Sequence, residues 1–353
     1  MIPMQTSLTP NLKPFHTFAI SQTCSNVVEI HSIEQLIEIY QSLLEAKQAV
    51  LFLGKGSNVL FTDHFDGTVL LNRLMGIEVV EGEEHWQLHI NGGEDWPTIV
   101  EWSIKQGYAG LENLALIPGC SGSAPIQNIG AYGVEFQDVC EYVDILCLDS
   151  WKVKRLSKLE CKFGYRDSIF KHELYQKAIV VAVGLKLAKY WKPNIAYGPL
   201  KSLDESDVPV TAKEIFNRVC SIRMSKLPDP NRQGNAGSFF KNPMVERNKF
   251  EDLQAQYPDI VGYSSGDKVK LAAGWLIDQC GLKGHQVGGA MVHPQQALVI
   301  VNQGEATSKD VIELAAYVKQ KVWEKYQVEL EHEVRFIGSD GETNLTQILE
   351  SRK

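Results

Sequence analysis

The sequence IPGCSGSAPIQNIGAYG, from Ile117 to Gly133, combines small residues and turn formers and contains no charged side chain. A solvated surface loop normally carries charge. A chain that packs along a large flat ligand instead needs small residues for close approach and backbone amides for hydrogen bonds. We therefore interpret this stretch as a ligand-binding loop.

A second glycine-rich stretch, GKGSN, follows the apolar run that ends at Leu53. A strand that leads into such a turn can offer backbone N–H groups to an anion. The stretch lacks the third glycine of G-x-G-x-x-G and the spacing of a P-loop, so it predicts neither of those folds. Alone it is more typical of a surface turn, but two separate glycine-rich cradles in one chain indicate a dinucleotide.

Composition limits the class of protein. The chain has 353 residues, of which 44% are hydrophobic and 22% charged, which is typical of an ordinary soluble protein with two or three domains. A formal net charge of −8 argues against a nucleic-acid partner. The seven cysteines are scattered and form no C-x-x-C pair, so we expect no metal site and no disulfide framework, and a reducing cytoplasm fits best.

The N-terminal sequence lacks the pattern of a signal peptide. The longest apolar run, from Ala178 to Leu185, is far too short to cross a bilayer. We therefore expect no membrane association.

Periodicity predicts strands alternating with a few helices. Strands are expected at 49–54, 68–72, 142–149, 178–188 and 297–302, with a hairpin at 77–92. Helices are expected from Trp96 to a stop at Gly107, after a capping pair of Thr211 and Glu214, at 271–280 before Gly281, and from about Thr307 onward. The turn-rich segment 225–237 is a predicted linker between two regions.

Eight motifs in order resemble those of one known family. They are GKGSN, IPGCSGSAPIQNIGAYG, FGYRDSIFK, YGPL, KLPDP, GNAGSFFKNP, HPQQALVIVN and EVRFIG, and they span nearly the whole chain. Their order and spacing are similar to those of the UDP-N-acetylenolpyruvoylglucosamine reductases, the MurB family of bacterial peptidoglycan synthesis. The sequence YWKPNIAYGPL resembles the longer form of the family, in which a loop tyrosine closes over the substrate.

The resemblance implies an α+β protein with a two-subdomain FAD-binding fold of the vanillyl-alcohol-oxidase type. The subdomains would be residues 1–75 and 76–222, and an α+β substrate-binding domain would follow at 223–337. The tail, 338–353, would pack back on the first subdomain. The resemblance implies no oligomer, so we expect a monomer that acts in the cytoplasm without a membrane or nucleic-acid partner.

The resemblance also implies the chemistry. NADPH reduces a non-covalently bound FAD, and the flavin N5 then gives hydride to the methylene carbon of the enolpyruvyl ether. A proton completes the adjacent carbon, which gives UDP-N-acetylmuramate. The implied FAD-binding residues are Gly54, Lys55, Gly56, Ser57, Asn58, Pro118, Gly119, Ser123, Gln127, Asn128, Gly130, Ala131 and Tyr132, and the implied substrate-binding residues are Tyr197, Lys226, Asn242 and Gln296.

Three residues match the family's catalytic positions. Ser238, in GNAGSFFKNP, matches the proton donor, while Arg166 and Glu333 match the arginine and glutamate that handle charge on the developing enolate. Outside this context each has an ordinary structural explanation. Ser238 would be a turn hydroxyl, Arg166 a solvated charge and Glu333 a strand-face residue.

Two histidines depart from the family's pattern. His16 stands where the family commonly has asparagine, and His332 stands where a proline often precedes the glutamate. Cys120 is expected to be a packed small side chain without a redox role.

Two other classes of protein compete with the reductase. A nucleotide-hydrolysing enzyme could use GKGSN for phosphate, but the sequence lacks a complete P-loop and an obvious magnesium carboxylate. A catalytically silent flavin-binding or nucleotide-binding protein could keep the two loops, but it would have no reason to keep Arg166, Ser238 and Glu333 in their motifs.

Overall fold

The structure is a computed structural model, and it describes residues 9–205 and 209–351. Its strands and helices are β1 (Cys24–Ile30), α1 (Ile33–Glu45), β2 (Val50–Leu53), β3 (Val59–Phe61), β4 (Phe65–Asn72), β5 (Ile77–Glu81), β6 (His85–Asn91), α2 (Trp96–Gln106), β7 (Gly130–Ala131), β8 (Val134–Glu135), α3 (Phe136–Val139), β9 (Cys140–Cys147), β10 (Lys152–Ser157), β11 (Ala178–Ala188), α4 (Ala212–Lys226), β12 (Asn235–Ser238), β13 (Met244–Glu246), α5 (Arg247–Gln256), β14 (Gly262–Ser265), β15 (Lys268–Leu271), α6 (Ala273–Gln279), β16 (Gln286–Val287), β17 (Ala290–Val292), β18 (Val299–Asn302), α7 (Ser308–Tyr326), β19 (Arg335–Ile337), β20 (Glu342–Thr343) and α8 (Leu345–Ser351).

Backbone contacts divide the chain into two units. Unit 1 comprises the described parts of Met1–Asn26, Gly56–Thr68 and Lys226–Lys353, and unit 2 comprises Val27–Lys55 and Val69–Ser225. The predicted boundaries at 75, 222 and 337 stay a prediction.

Unit 2 is built on a five-stranded antiparallel sheet with the order β10-β9-β11-β6-β5. Val183 on the central strand lies opposite Val143 on one side and Ile90 on the other, and all three are fully buried. Helix α2 packs into the same core through Trp96. A β-branched run buried on a central strand explains why the sequence at 178–188 predicts its strand so well.

Unit 1 contains a four-stranded sheet, β12-β18-β17-β16, and a three-stranded sheet in which β19 lies between β20 and β3. Helix α7 begins at a reciprocal cap in which Thr307 and Asp310 bond each other's backbone N–H groups. Its buried face shares a core with Phe239 and Phe336. Packing against α7 and the aromatic cluster therefore fixes β12, which ends at Ser238, and the segment around Glu333 that leads into β19.

The main predicted elements are confirmed, with shifts at their ends. Helix α2 begins after Asp95, whose side chain accepts from the Thr98 N–H, and it ends at Gly107 with a left-handed φ of 81°. The predicted linker 225–237 is shorter in the structure, because α4 continues to Lys226 and β12 begins at Asn235.

Among the described residues, no helix combines the length and apolar character needed to span a bilayer. Within 9–205 and 209–351 there is also no cluster of His, Cys, Asp and Glu side chains that could hold a metal ion.

Candidate active site

Ser238 is the last residue of β12 in unit 1, and the turn before it is held by Asn235. The buried Asn235 side chain donates from Nδ2 to the carbonyls of Pro228 (3.2 Å) and Gln233 (2.9 Å), and its Oδ1 accepts from the Gly237 N–H at 2.9 Å. Gly237 has a φ of 73°, a conformation that favours glycine. The Ser238 side chain is thus presented, half-buried, from a tightly bonded turn.

The segment that follows Ser238 is hydrogen-bonded to the segment that carries Glu333. The Glu333 N–H donates to the Phe239 carbonyl at 2.8 Å, and Phe240 forms an antiparallel bridge with His332. The rings of Phe239 and Phe240 are buried at 1% exposure each, so this pairing rests on the core of unit 1. Two of the three predicted catalytic residues therefore lie in backbone segments that are hydrogen-bonded to each other within unit 1.

The predicted cofactor residue Asn58 lies directly beside Glu333. Strand β3 is parallel to β19, and the Arg335 N–H donates to the Asn58 carbonyl at 3.0 Å. The Asn58 side chain donates from Nδ2 to the Glu333 carbonyl at 3.3 Å.

Next to this contact, the His332 ring stacks on the Phe336 ring, with 4.5 Å between the ring centroids, and burial lowers the pKa of His332. His332, which departs from the family's pattern, thus packs against the core of unit 1.

The turn at Gly56 and Ser57 is tightly packed in unit 1. Gly56 has a φ of 59°, and a Cβ there would lie 2.3 Å from the Phe15 carbonyl oxygen and 2.7 Å from the His16 Cβ. His16 is itself buried, with Nε2 3.0 Å from the Ile20 carbonyl and Nδ1 without a partner among the described residues. Burial lowers the pKa of His16 to about 4, so its ring is neutral at physiological pH.

Two of the predicted substrate residues lie at the N-terminal end of α6. The Ala273 N–H donates to Asn242 Oδ1 at 3.0 Å. A Cβ added to Gly274 would lie 3.6 Å from Gln296 Oε1, so the amide of Gln296 lies over the first turn of the helix. Lys226 is exposed at the end of α4, away from this cluster in the chain.

In unit 2 the two glycine-rich stretches meet. A Cβ on Gly54 would lie 2.5 Å from the Cys120 Sγ, so only glycine fits there without a shift. Lys55 Nζ lies 3.4 Å from Asp95 Oδ1, and Asp95 forms an isolated backbone bridge with Cys120. Asp95 therefore joins the predicted phosphate turn to the loop at 117–133, and its acceptor role at the start of α2 keeps it in place.

Within the loop, the Asn128 side chain makes three hydrogen bonds. Its Nδ2 donates to Glu135 Oε2 (2.8 Å) and to the Gly164 carbonyl (3.0 Å), and its Oδ1 accepts from the Gln137 N–H at 2.9 Å. Asn128 and Tyr132 have positive φ values of 43° and 49°, which these contacts stabilise. Of the remaining predicted positions Gly119 is buried, Ser123, Gln127, Gly130 and Ala131 are half-buried, and Pro118 is exposed.

Arg166, the third predicted catalytic residue, lies in the tight turn between Gly164 and Asp167, which form an isolated backbone bridge. Its backbone is left-handed, with a φ of 52°. Its Nη2 donates to the Gly130 carbonyl at 3.2 Å, which joins it to the loop at 117–133. The carbonyl of Arg166 accepts from Lys171 Nζ at 2.8 Å, so the unusual backbone is held on both sides.

Sequence reasoning missed Arg223, on α4. Within the described chain its Nε is buried without a hydrogen-bond partner. Burial lowers the pKa of its guanidinium, the positive charge of Arg166 lowers it further, and Tyr132 opposes both. Two arginines that repel each other, one of them poorly satisfied, favour an anion. A sequence signal existed, because Arg223 follows the buried Val219 by four residues and so lies on the apolar face of the helix.

Tyr197 is 51% exposed and lies edge-to-face with Tyr132, with 6.4 Å between the ring centroids. The predicted substrate tyrosine is thus adjacent to the end of the predicted cofactor loop in unit 2. The accessible ring leaves it able to contact a ligand.

Two family models match the chain. An FAD binding domain matches residues 24–154, and the C-terminal domain of UDP-N-acetylenolpyruvoylglucosamine reductase matches residues 229–337. Together with the mixed strands and helices, these matches confirm the predicted α+β fold class.

Relatives named UDP-N-acetylenolpyruvoylglucosamine reductase are similar over nearly the full chain. The protein from Vibrio cholerae is 59% identical over 344 residues, which are 98% of each chain. That from Pasteurella multocida is 56% identical over 340 residues, or 96% of this chain and 99% of the relative. The crystal structure of the Thermus caldophilus reductase, MurB, is 25% identical, with a TM-score of 0.64, and the match covers 93% of this chain and 99% of that one.

Proposed function

The chain belongs to the UDP-N-acetylenolpyruvoylglucosamine reductase family, and we propose that Ser238, Glu333 and Arg166 serve the reduction of the enolpyruvyl group. The protein is an FAD-dependent oxidoreductase of peptidoglycan precursor synthesis that uses NADPH and forms UDP-N-acetylmuramate. When bound, FAD would supply the hydride chemistry that links NADPH to the substrate alkene.

The residues of the two glycine-rich stretches fit FAD. Gly54 and Gly56 carry no side chain. A Cβ at Gly54 would collide with Cys120, and a Cβ at Gly56 would collide with the Phe15 carbonyl. The loop from Pro118 to Tyr132 has no charged side chain, which suits close packing along a large flat ligand. The residues that would hold FAD are Gly54, Lys55, Gly56, Ser57, Asn58, Pro118, Gly119, Ser123, Gln127, Asn128, Gly130, Ala131 and Tyr132.

Ser238 supplies the proton of the reduction. When the methylene carbon of the enolpyruvyl ether receives a hydride, negative charge develops on the adjacent carbon and its carboxylate. The Ser238 hydroxyl gives its proton to that carbon and is reprotonated from solvent, so the alkene gains one hydride and one proton in total. The Asn235 contacts and the left-handed Gly237 hold the backbone that presents Ser238, which supports this role.

Glu333, Arg166 and Arg223 stabilise the negative charge that develops on the substrate before the carbon is protonated. Protonated Glu333 donates a hydrogen bond to the developing enolate, and Arg166 and Arg223 supply positive charge for the carboxylate. The observation that carries the proposal is the 2.8 Å hydrogen bond from the Glu333 N–H to the Phe239 carbonyl. It gives the proton donor and the carboxyl a shared, rigid frame. The poorly satisfied guanidinium of Arg223 supports an anion site in unit 2.

The remaining matched residues bind the rest of the substrate. Asn242 and Gln296 offer amide groups beside the start of α6, and Lys226 offers a cation for the diphosphate. Tyr197 offers an accessible ring and hydroxyl.

We also propose that the protein acts as a monomer in the cytoplasm, without a nucleic-acid or membrane partner. The net charge of −8 disfavours binding to phosphate backbones. All seven cysteines are free thiols, which suits a reducing compartment.

An anaerobic flavin assay tests the function. We expect the purified protein to be yellow, to bleach with NADPH and to regain its colour when enolpyruvyl-UDP-N-acetylglucosamine is added. UDP-N-acetylglucosamine, which lacks the alkene, should leave the flavin reduced. Bleaching without recovery would instead identify the silent flavin-binding alternative, and a protein that never binds FAD would contradict the whole proposal.

A further inference from the structure

The segment from residue 190 to residue 197, here called the tyrosine segment, is anchored to two consecutive residues elsewhere in unit 2. Trp191 Nε1 donates to Glu112 Oε1 at 2.7 Å, and Asn113 Nδ2 donates to the Asn194 carbonyl at 2.9 Å. Glu112 is 2% exposed and Asn113 is 1% exposed. The anchor is therefore part of the interior, whereas Tyr197 at the end of the segment is accessible.

The Glu112 carboxyl is an unusual group to bury. Among the residues that the structure describes, no Lys, Arg or His pairs with it, and its second oxygen accepts from the Gly110 N–H at 2.7 Å. Burial raises the pKa of Glu112, and the bonds from Gly110 and Trp191 oppose that shift. A carboxyl without a cation in the interior is stabilised only by such donors, so its partner Trp191 is held in a narrow range of positions.

Asn113 connects the anchor to the loop at 117–133 as well. The same Nδ2 that donates to Asn194 also donates to the Tyr132 carbonyl at 2.9 Å. In return, Asn194 Nδ2 donates to the Gly133 carbonyl at 3.1 Å. A Cβ on Gly133 would lie 3.3 Å from the Tyr197 Cβ, so the backbone of the loop at Gly133 is packed closely against Tyr197. The buried side-chain amide of Asn113 thus holds together the two segments that carry the rings of Tyr132 and Tyr197.

We infer that Glu112 and Asn113 are positioning residues for substrate capture, because they fix the tyrosine segment and thereby the ring of Tyr197. The inference rests on the proposed role of Tyr197 as a substrate contact. Neither residue would touch the reacting atoms. Their loss should weaken substrate binding while the reduction of FAD by NADPH continues.

Trp191→Phe is the sharpest probe, because it removes the donating N–H and keeps most of the ring. We expect the substrate dissociation constant, followed by the change in flavin absorbance on titration, to rise about tenfold. Amide exchange in the tyrosine segment should become faster at the same time. Trp323→Phe, at a tryptophan that is 50% exposed in unit 1, is the matched control and should leave both quantities unchanged.

A double-mutant cycle separates positioning from a general packing effect. If the anchor acts through Tyr197, Trp191→Phe should have little further effect on substrate affinity in a Tyr197→Ala background. Glu112→Gln, which leaves one acceptor oxygen for the two N–H donors of Gly110 and Trp191, should show the same dependence. Additive losses in the cycle would overturn the inference, and so would a Trp191→Phe protein with normal affinity and normal exchange.

The proposed function can fail independently of the anchor. A wild-type protein that holds FAD but does not bind enolpyruvyl-UDP-N-acetylglucosamine would contradict the function and, with it, the inference. If the wild-type protein binds and reduces this substrate, and the Trp191→Phe and Glu112→Gln variants bind it with normal affinity, the inference alone is contradicted.

Discussion

The side chain of Asn58 donates a hydrogen bond from Nδ2 to the backbone carbonyl of Glu333, across 3.3 Å. Asn58 ends the glycine-rich turn proposed for FAD, and Glu333 is proposed to act on the substrate. The two residues are 275 positions apart in the chain and meet because β3 and β19 are parallel neighbours. The contact couples the cofactor turn to the segment of Glu333, which leads into β19 in unit 1.

We expect Asn58→Ala to slow the reoxidation of the flavin by substrate about tenfold in FAD-loaded protein, because the backbone at Glu333 loses a side-chain hydrogen bond. The backbone bond from the Arg335 N–H to the Asn58 carbonyl should keep the sheet intact, so the melting temperature should fall by only a few degrees. Asn231→Ala, at an exposed asparagine of the same unit, is the control. If reoxidation slows equally in both variants, or in neither, the contact does not couple the cofactor turn to Glu333.

Ser238→Ala tests the proton donor, since it removes one oxygen and leaves Gly237 and Phe239 in place. The reduction of FAD by NADPH should proceed at nearly the normal rate, while reoxidation by substrate should slow by about 10²–10⁴-fold, as expected for a lost general acid. Stopped-flow absorbance in water and in deuterium oxide measures both steps. Ser264→Ala, at an exposed strand position, should change neither. Equal slowing of both half-reactions would show that Ser238 is structural.

Arg223→Met should separate stability from substrate affinity. Removal of a partly unsatisfied guanidinium that is repelled by Arg166 should leave the melting temperature of the ligand-free protein unchanged or raise it by a few degrees. The KM for the enolpyruvyl substrate should nevertheless rise about 10- to 100-fold, because its carboxylate loses a charged donor. Arg218→Met, at an exposed position of α4, is the control. A destabilised protein with a normal KM would assign Arg223 to folding alone.

Local signals in the sequence predict much of the fold, because they depend on neighbours in the chain. Helix α2 is an example, since its cap at Asp95 and its stop at Gly107 are both adjacent to its apolar stripe. The motifs also predict the family and the residues expected at its site. The anchor is different, because Glu112 and Trp191 are 79 residues apart and each is unremarkable in its own segment. A partner that is created by folding leaves no trace at either position alone.

His16 predicts how stability depends on pH. In the unfolded chain its pKa returns to 6.5, whereas burial lowers it to about 4 in the folded protein. The unfolded state therefore binds a proton first as the pH falls, and the free energy of unfolding decreases between pH 6.5 and pH 4. A shift of this size corresponds to about 3 kcal/mol when the pH falls below the folded pKa.

We expect His16→Asn to remove this part of the acid destabilisation, because asparagine does not titrate. Urea unfolding of both proteins at pH 7, 6, 5 and 4 measures the effect as a difference in slope. The wild-type protein should lose stability more steeply than the variant, by an amount that approaches about 3 kcal/mol at the lowest pH. His31→Asn, at an exposed histidine, should leave most of the wild-type slope in place. Parallel curves for the wild type and His16→Asn would mean that His16 takes up its proton in the folded protein as readily as in the unfolded chain.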